Sequence, residues 1–524
     1  MGLQLTAPTD DAAADEYRRR GWWPSCPLRD GIERVAEVDG GRVALIDNDV
    51  TWTYAQLRER IERGIGTLDR AGVKAGDPVV LVARNSNESA AAFLSTIRVG
   101  AVAVMLDRRS GPLDVTNALV TSGARHVVAP ADLRTALRLD EHEVRCVAFD
   151  DLAQGRAQSD WDEPDPYQAQ IVVFTSGTTR RAKGVVHTLS SLGSGVDHIR
   201  AAFDFRDDDR PYLSSPLATI TGLLQLLAST SGASILLEDR FDAVQAVERI
   251  ETHRATVLGG APVILEMLFE ACEQLGRATT PLERITMGGT MIPRAVLEVA
   301  IDRFGILPTR VYGSSEVPVH TASAGDDDLE HRLSDDGVPL LGSECRLGAE
   351  YESGSELQVR GPNLFQGYLH DDDNEHAFDD GWFRTGDLVE MLPGRRIRVL
   401  GRLKDVVARK GLKISLAEVD DAALGLDDVI EAAAYGVPDD ETGERVVLAV
   451  HVEGDAEMAF ATVTARLLET GLAKGKLPEE IVVWNVPLPR NPSGKVVRSE
   501  VAAGAAGRPR QLAPRLAAAP ASDG

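Results

Sequence analysis

The stretch that decides the fold reads Ile171-Val-Val-Phe-Thr175-Ser-Gly-Thr-Thr-Arg-Arg-Ala-Lys183-Gly184. Its apolar start predicts a buried strand, and the small hydroxyl-bearing residues that follow predict a loop with exposed backbone N–H groups. Such a loop, with the ammonium of Lys183, can hold phosphate oxygens, whereas the alternative interpretation is a loop without a ligand. We expect a helix to begin near Val185. The spacing excludes a P-loop kinase, because five residues separate Gly177 from Lys183 and no Gly-Lys-Ser/Thr triplet occurs.

Strand-like and helix-like segments alternate on both sides of this stretch. Apolar runs predict strands at 78–83, 126–130, 145–149 and 233–237, and an alanine-rich segment predicts a helix over 88–104. This alternation is typical of an α/β fold with much parallel sheet. We therefore expect a large multi-layer N-terminal domain whose β-sheets are flanked by helices.

The composition changes near residue 400, where a turn rich in lysine and arginine precedes further strand and helix patterns. This change predicts a large domain over residues 1–401 and a small α+β domain over 402–505. The last segment, 506–524, is rich in alanine, proline and glycine and is expected to be disordered. Ser415 and Glu418 match a capping box at the start of a helix.

Charge and cysteine content exclude several classes of partner. The 524 residues carry 56 lysines and arginines against 81 aspartates and glutamates, a net charge of −25, which opposes binding to nucleic acid. No apolar stretch approaches the ~20 residues of a membrane helix, and no secretory leader is apparent. The four cysteines are scattered, so we expect no disulfide framework and a cytoplasmic protein. The acidic runs 326–328 and 371–373 are expected to be solvated surface.

Four further motifs place functional groups on turns. One joins an aromatic ring, hydroxyls and a carboxylate; one sets a carboxylate in a glycine turn suited to ribose hydroxyls; the others set lysines and arginines on turns. Each alone is also ordinary turn chemistry. The motifs are Val311-Tyr-Gly-Ser-Ser-Glu316, Gly381-Trp-Phe-Arg-Thr-Gly-Asp387, Gly401-Arg-Leu-Lys-Asp405 with Lys410-Gly411, and Asn491-Pro-Ser-Gly-Lys495.

In this order, the motifs together resemble those of the AMP-forming acid-activating enzymes, a family that includes acyl-CoA synthetases, adenylation domains and firefly luciferase. The resemblance extends from about residue 40 to 500 and includes Asn85, Gly354-Ser-Glu356 and Gly367-Tyr368. It implies a small C-terminal domain that is mobile. It also implies that the protein activates a carboxylic acid with ATP and Mg²⁺ to an acyl-adenylate, releasing pyrophosphate. The acyl group then passes to the thiol of CoA or of a carrier protein's phosphopantetheine, or alternatively to an amine or another non-thiol acceptor.

The resemblance also implies roles for individual residues. Lys495 is similar to the lysine that bridges the acid and the α-phosphate, Lys404 occupies the hinge position, and Glu316 resembles the Mg²⁺ ligand. The expected nucleotide- and thiol-binding residues follow the same correspondence. They are Thr175, Ser176, Gly177, Thr178, Thr179 and Lys183 for the β- and γ-phosphates; Gly288, Gly289, Thr290, Tyr312 and Gly313 for adenine; Ser315 near the α-phosphate; Asp387 and Arg402 for ribose; and Gly411 for the path of pantetheine.

The sequence departs from the family pattern in the phosphate loop, at Thr219, and at Leu416, which replaces a usual proline beside the hinge. Arg180 and Ala182 replace a glycine and a proline in the phosphate loop, and Thr219 stands where many acyl- and aryl-activating members carry histidine. Arg180 and Arg181 either contact phosphate or point into solvent. The departures also leave open a binding protein that has lost its chemistry. Residues 213–222 contain no acidic side chain to pair with a substrate ammonium, so the resemblance favours a small-molecule acid other than an amino acid. His187 is expected on a helix surface.

Overall fold

The structure is a computed structural model of the whole chain. It describes residues 9, 11–23, 29–48, 50–158, 163–175, 183–289, 292–323, 325–351, 354–409, 412–439, 441–452, 459–470, 472–491 and 494–517. The chain forms two compact units, residues 1–344 with 359–383, and residues 345–358 with 384–524. The boundary after residue 401 stays a prediction.

Helices occur throughout the described residues. They are α1 (Asp11–Arg19), α2 (Arg29–Asp39), α3 (Tyr54–Arg70), α4 (Asn87–Arg98), α5 (Pro112–Ser122), α6 (Phe149–Ala153), α7 (Leu189–Ala202), α8 (Ile220–Ser229), α9 (Ala243–His253), α10 (Pro262–Gln274), α11 (Arg294–Phe304), α12 (Leu329–Ser334), α13 (Asp371–Asn374), α14 (Leu416–Leu424), α15 (Phe460–Glu469), α16 (Arg498–Gly504) and α17 (Pro514–Ala517). In the described part of the chain, none of them is long and apolar enough to cross a membrane.

Strands alternate with these helices over most of the first unit. The strands are β1 (Val43–Asp47), β2 (Val50–Thr53), β3 (Pro78–Ala83), β4 (Val102–Asp107), β5 (His126–Ala129), β6 (Arg145–Ala148), β7 (Ala169–Thr175), β8 (Lys183–Thr188), β9 (Pro211–Leu213), β10 (Ile235–Leu237), β11 (Val257–Gly260), β12 (Arg284–Gly288), β13 (Leu307–Tyr312), β14 (Thr321–Ala322), β15 (Val338–Pro339), β16 (Glu344–Tyr351), β17 (Gly354–Arg360), β18 (Phe378–Asp379), β19 (Trp382–Leu392), β20 (Arg396–Arg402), β21 (Val406–Arg409), β22 (Leu412–Ser415), β23 (Val429–Asp439), β24 (Gly443–Val452), β25 (Glu480–Trp484) and β26 (Arg510–Leu512).

Two largely parallel sheets form the first unit. One has the strand order β15-β14-β13-β12-β11-β9-β10-β1-β2, and the other has the order β6-β5-β3-β4-β7-β8. The antiparallel pairs lie toward the ends, with β2 at one end and β14 and β15 at the other end of the first sheet, and β8 beside β7 in the second. Because the carboxyl ends of neighbouring parallel strands share one edge, these sheets bring distant sequence motifs together.

The α/β fold is confirmed, and several element bounds differ from the prediction. The strand expected at 78–83 is β3, but the helix expected over 88–104 ends at Arg98 and β4 begins at Val102. Gly100 has φ +74°, a left-handed conformation that ends the helix, and the β-branched residues after it pair with β3 instead.

The second unit contains a sheet with the order β22-β21-β24-β25-β26, with β23 paired to β24. Strand β26 differs from the disordered tail predicted over 506–524, because it pairs antiparallel with β25. Arg510 lies 3.0 Å from a carboxylate oxygen of Glu480, and Arg515 lies 2.9 Å from Asp439, so ion pairs hold this segment. The disorder predicted for 518–524 lies outside the described residues.

Candidate functional site

The expected phosphate-binding loop connects two antiparallel strands. Thr175 ends β7 and Lys183 begins β8, and the two residues are paired across the ladder. The helix expected near Val185 is wrong, because β8 continues to Thr188, whose side chain caps α7. Val185 and Val186 are buried and pair with β7, so the neighbouring strand determines their conformation. Residues 176–182, which include Ser176, Gly177, Thr178, Thr179, Arg180 and Arg181, lie outside the described residues.

The ammonium of Lys183 lies between a carboxylate and an aromatic face. Its Nζ is 3.4 Å from Oδ1 of Asp373 and 4.6 Å from the centre of the Tyr368 ring. A cation over an aromatic face is attracted by the ring quadrupole. Asp373 therefore belongs to this cluster, whereas the sequence predicted that residues 371–373 would be solvated surface; Asp371 and Asp372 are exposed as expected.

Tyr368 reaches Lys183 because its segment pairs with β8. Val186 donates a backbone hydrogen bond to Gly367, and Leu369 donates one to Gly184. The side-chain amide of Asn374 holds the backbone of Tyr368 from both sides, accepting from its N–H at 2.8 Å and donating to its carbonyl at 2.9 Å. The backbone that carries the ring is thus held by a turn that follows it in sequence.

Glu316 completes this cluster from a turn after β13. The hydroxyl of Tyr368 donates a 2.8 Å hydrogen bond to Oε1 of Glu316. Ser314 Oγ accepts from the backbone N–H of Glu316 at 3.2 Å and so holds the turn. The turn is tight, because a Cβ added to Gly313 would lie 2.5 Å from the backbone nitrogen of Val319. Lys183, Tyr368 and Glu316 therefore form one connected group.

His187 supports the same turn from inside the protein. Its Nε2 lies 2.7 Å from the carbonyl oxygen of Ser315, and its Nδ1 lies 3.1 Å from Ser191 Oγ. The side chain is completely buried, and burial lowers the pKa of His187 to about 4. The expectation of a helix-surface histidine is wrong: a neutral ring on β8 donates to the carbonyl of Ser315.

The glycines expected near adenine end the neighbouring strand. Gly288 on β12 is paired with Val311 on β13, one residue before Tyr312. A Cβ on Gly288 would lie 2.7 Å from the carbonyl oxygen of Val311, so a side chain has no room there. Gly289 has φ +77°, which favours glycine. The edge that carries these glycines also carries Tyr312 and Gly313, whereas Thr290 lies outside the described residues.

In the second unit, Asp387 and Arg402 face each other on neighbouring strands. They are directly paired between β19 and β20, and Arg402 Nε donates a 2.9 Å hydrogen bond to Oδ1 of Asp387. Asp387 is buried, while the side chain of Arg402 is 46 % exposed. Thr385 Oγ1 also accepts from the backbone N–H of Asp387 at 3.1 Å. Arg402 therefore orients the carboxylate, and Thr385 holds the backbone that carries it.

Lys495 lies on a tight turn in the same unit. Its backbone N–H donates to Asn491 Oδ1 at 2.9 Å, and its carbonyl accepts from the N–H of Asn491 at 2.8 Å. Gly494 has φ +83°, so glycine is favoured within this turn. Lys404 is in a 3₁₀ turn over Leu403–Asp405, and Gly411 lies outside the described residues.

The chemistry of Glu316 fits a magnesium ion that is bound mainly through substrate. Among the described residues, no group of three or more His, Cys, Asp or Glu side chains could hold a metal by itself. Mg²⁺ is commonly bound by one or two carboxylates together with substrate phosphates and water. The single carboxylate of Glu316 matches that donor set, and the hydrogen bond from Tyr368 orients it.

Comparisons with known proteins identify the family of this chain. Residues 32–369 match the family model described as AMP-binding enzyme, and residues 418–495 match the AMP-binding enzyme C-terminal domain. The chain belongs to this family of adenylate-forming, acid-activating enzymes, which confirms the resemblance seen in the motifs.

Relatives over nearly the full length of the chain are acid–CoA ligases. The chain is 28% identical to a long-chain-fatty-acid–CoA ligase of Mycobacterium tuberculosis, over 86% of this chain and 92% of the relative. It is 29% identical to an indoleacetate–CoA ligase of Aromatoleum aromaticum, over 90% of this chain and 97% of the relative.

A solved relative, the o-succinylbenzoate CoA synthetase of Bacillus subtilis, has the same fold. Its structure with an acyl-adenylate intermediate superimposes with a TM-score of 0.81 at 26% identity, covering 90% of this chain and 97% of the other. The same enzyme with ATP and magnesium ion gives a TM-score of 0.80 at 25% identity, covering 90% and 99%.

Sequence reasoning missed two members of the cluster. Tyr368 appeared in the Gly367-Tyr368 motif without a role, and Asp373 appeared only as part of an acidic run. The signal available in the sequence was an aromatic residue directly after a glycine. Gly367 has φ +115°, which allows the chain to turn back onto β8 and to place Tyr368 there. Asp373 carried no local signal, because its partner Lys183 is distant in sequence.

Proposed function

We propose that the protein is an AMP-forming acid–CoA ligase. It activates a small-molecule carboxylic acid with ATP and transfers the acyl group to the thiol of CoA. The observation that carries this proposal is the connected group of Lys183, Tyr368 and Glu316, in a chain that matches the AMP-binding enzyme models over residues 32–369 and 418–495. The second acceptor we propose is the pantetheine thiol of a carrier protein.

The first half-reaction joins two anions. A carboxylate oxygen of the acid attacks the α-phosphorus of ATP, the bond from that phosphorus to the bridging oxygen breaks, and pyrophosphate leaves with the bond electrons. Since the reactants repel each other, catalysis depends on positioning and on neutralising charge. When bound at Glu316, Mg²⁺ would supply positive charge to the phosphates.

Residues of this chain divide that task. Lys183 neutralises phosphate charge, and Tyr368 positions the carboxylate of Glu316. His187 positions the turn that carries Glu316, because it holds the carbonyl of Ser315. The further roles we propose follow the family correspondence. They are Thr175, Ser176, Gly177, Thr178 and Thr179 on the β- and γ-phosphates; Gly288, Gly289, Thr290, Tyr312 and Gly313 on adenine; Ser315 near the α-phosphate; Asp387 and Arg402 on ribose; and Lys495 on the acid and the α-phosphate.

In the second half-reaction, the thiol sulfur attacks the acyl carbon of the adenylate. The carbon–oxygen bond to AMP breaks, the thiol proton goes to solvent, and AMP leaves with the bond electrons. We propose that Lys404 marks the hinge about which the C-terminal region turns between the two steps, and that Gly411 lies along the path of pantetheine. We also propose a cytoplasmic location and an acid that is not an amino acid.

A pyrophosphate-release screen tests the proposal. The protein is incubated with ATP, Mg²⁺ and a panel of aryl, alkyl and amino acids, with and without CoA, and products are identified by mass spectrometry. We expect acid-dependent release of pyrophosphate and a mass for the corresponding acyl-CoA. Pyrophosphate release without a thioester would indicate that the acyl group passes to a non-thiol acceptor. Absence of pyrophosphate release with every acid would contradict adenylation.

A further inference from the structure

Gln225, in the middle of α8, buries an amide that has no hydrogen-bond partner among the described residues. Its side chain is buried, with 3% of the residue exposed, and both Oε1 and Nε2 are unpaired. A buried amide that has lost its water without gaining a partner is unfavourable, so native proteins satisfy most such groups. The amide of Gln225 therefore destabilises the folded protein unless another group pairs with it.

The amide lies against a glycine of the first sheet. A Cβ added to Gly259 on β11 would lie 3.3 Å from Cδ and Nε2 of Gln225 and 2.9 Å from the Phe203 ring. The absence of a side chain at Gly259 thus leaves room for the amide of Gln225 beside the backbone of β11. Because Gly260 follows directly, the end of this strand carries no side chain over two successive residues.

A second unpaired group lies on the neighbouring strand. Thr286 on β12 is the register partner of Gly259, so the two residues are on the same face of the sheet, on strands about 4.8 Å apart. Thr286 is 4% exposed, and its hydroxyl has no partner among the described residues. Thr309, next in the same row, instead accepts from Arg332 at 3.3 Å.

Thr286 lies on the strand that ends at the proposed adenine site. Thr286 precedes Gly288 by two residues on β12, and residues two apart on a strand point to the same face about 6.6 Å apart. Gly288 belongs to the group of residues that we propose for adenine. A substrate extending from that group of residues along the sheet face would meet the hydroxyl of Thr286 and the amide of Gln225.

We propose that Gln225 and Thr286 form a subsite for an uncharged hydrogen-bonding group on the acid, such as a hydroxyl or a carbonyl remote from its carboxylate. This inference rests on the proposed function. The amide and the hydroxyl together offer donors and acceptors. Two residues earlier on β12, Arg284 forms an ion pair with the carboxylate of Asp209. Its charge is therefore already neutralised, which is why we infer an uncharged group on the acid. An apolar acid would leave both groups unpaired, and sites built in this way discriminate strongly against such analogues.

Pyrophosphate release with matched acid pairs tests this subsite. Each pair consists of an aryl or alkyl acid and the same acid with one hydroxyl or keto group, and kcat/KM is compared within the pair. We expect the wild-type protein to prefer the polar member at least tenfold for one or more pairs. Gln225→Met and Thr286→Val keep the side-chain volume nearly constant and should each reduce that preference to threefold or less.

Thr309→Val is the matched control. It removes a partnered hydroxyl from the same row, so it should lower Tm and leave the preference within a pair unchanged. Gln225→Met should leave Tm of the ligand-free protein unchanged or raise it, because it removes an unpaired buried amide. A large fall in Tm for Gln225→Met would mean that the amide has a partner in the free protein, which overturns the proposal.

The outcomes separate the subsite from the proposed function. Turnover with equal or greater efficiency for the apolar member of every pair, or a preference that Gln225→Met does not change, overturns the subsite and leaves acid activation intact. Absence of pyrophosphate release with every acid overturns acid activation, and the subsite with it.

Discussion

Tyr368 donates a 2.8 Å hydrogen bond to Oε1 of Glu316 while the face of its ring lies 4.6 Å from Nζ of Lys183. One side chain thus contacts both the proposed phosphate-binding cation and the proposed metal-binding carboxylate. The backbone of Tyr368 is held by β8 and by Asn374.

Tyr368→Phe should weaken metal-dependent adenylation. The change removes the hydroxyl and keeps the ring, so the carboxylate of Glu316 loses a hydrogen bond of the charge-assisted kind, worth about 1.5–3 kcal/mol. We expect a roughly 10- to 100-fold fall in the adenylation rate and a higher Mg²⁺ concentration for half-maximal activity, measured by pyrophosphate release. Tyr351→Phe, at an exposed tyrosine, is the control. An unchanged Mg²⁺ dependence would refute the positioning role.

Asp373→Asn should tighten the binding of ATP. The carboxylate lies 3.4 Å from Lys183 and competes with the triphosphate for the ammonium, in a partly exposed pair of the kind worth about 0.2–1 kcal/mol. We expect KM for ATP to fall about two- to fivefold, more at low than at high ionic strength. Asp372→Asn changes an exposed neighbour and should have no effect. If KM for ATP rises in Asp373→Asn, the carboxylate instead helps to hold Lys183 in its binding position.

Lys495→Ala should reduce adenylation by about 10²–10³, the range found when one donor to transition-state charge is removed. The turn itself should persist, since the hydrogen bonds between residues 491 and 495 use the backbone of Lys495. The measurement is single-turnover pyrophosphate release, with transfer from pre-formed acyl-adenylate to CoA followed separately. Transfer should change much less. Lys474→Ala, at an exposed lysine of the same unit, serves as the control. An adenylation rate within threefold of wild type would exclude the role of Lys495.

His187→Gln should make the unfolding free energy fall less between pH 6.5 and pH 4.5. Burial lowers the pKa of His187 to about 4, against about 6.5 in the unfolded chain, so below pH 6.5 the unfolded state binds a proton that the folded state does not. The stability contributed by the neutral ring is complete above pH 6.5 and is lost as pH falls toward 4. Relative to the variant, the wild type should lose about 2–3 kcal/mol of unfolding free energy between pH 6.5 and 4.5.

Denaturant unfolding at a series of pH values provides that comparison. Burial raises the pKa of Asp47 and of Asp420 to about 6, which acts in the opposite direction, but both groups are present in each protein and their effects cancel in the difference. A difference that stays constant with pH would mean that His187 takes up a proton as readily in the folded protein as in the unfolded chain.

Much of the site was predictable from sequence because its motifs are local. The turns that carry Glu316, Asp387 and Lys495 are built by glycines, hydroxyls and amides within a few residues of each functional group. Such short-range hydrogen bonds and positive-φ positions leave a readable pattern in the chain. The capping box predicted at Ser415 and Glu418 is wrong, although it is also a local pattern. Ser415 donates instead to the carbonyl of Leu400, and Glu418 forms an ion pair with Lys476 at 2.6 Å.

By itself, the sequence determined the α/β class, the family and the kinds of residue at each turn, because periodicity and turn chemistry act over a few neighbouring positions. Only the tertiary structure decided that residues 185–188 form a strand, that His187 is buried, and that Tyr368 and Asp373 contact Lys183. It alone also placed Gln225 against Gly259. Conformation, burial and ion pairing at these positions depend on groups supplied by distant segments, and a local pattern carries no record of which segment will pack against it.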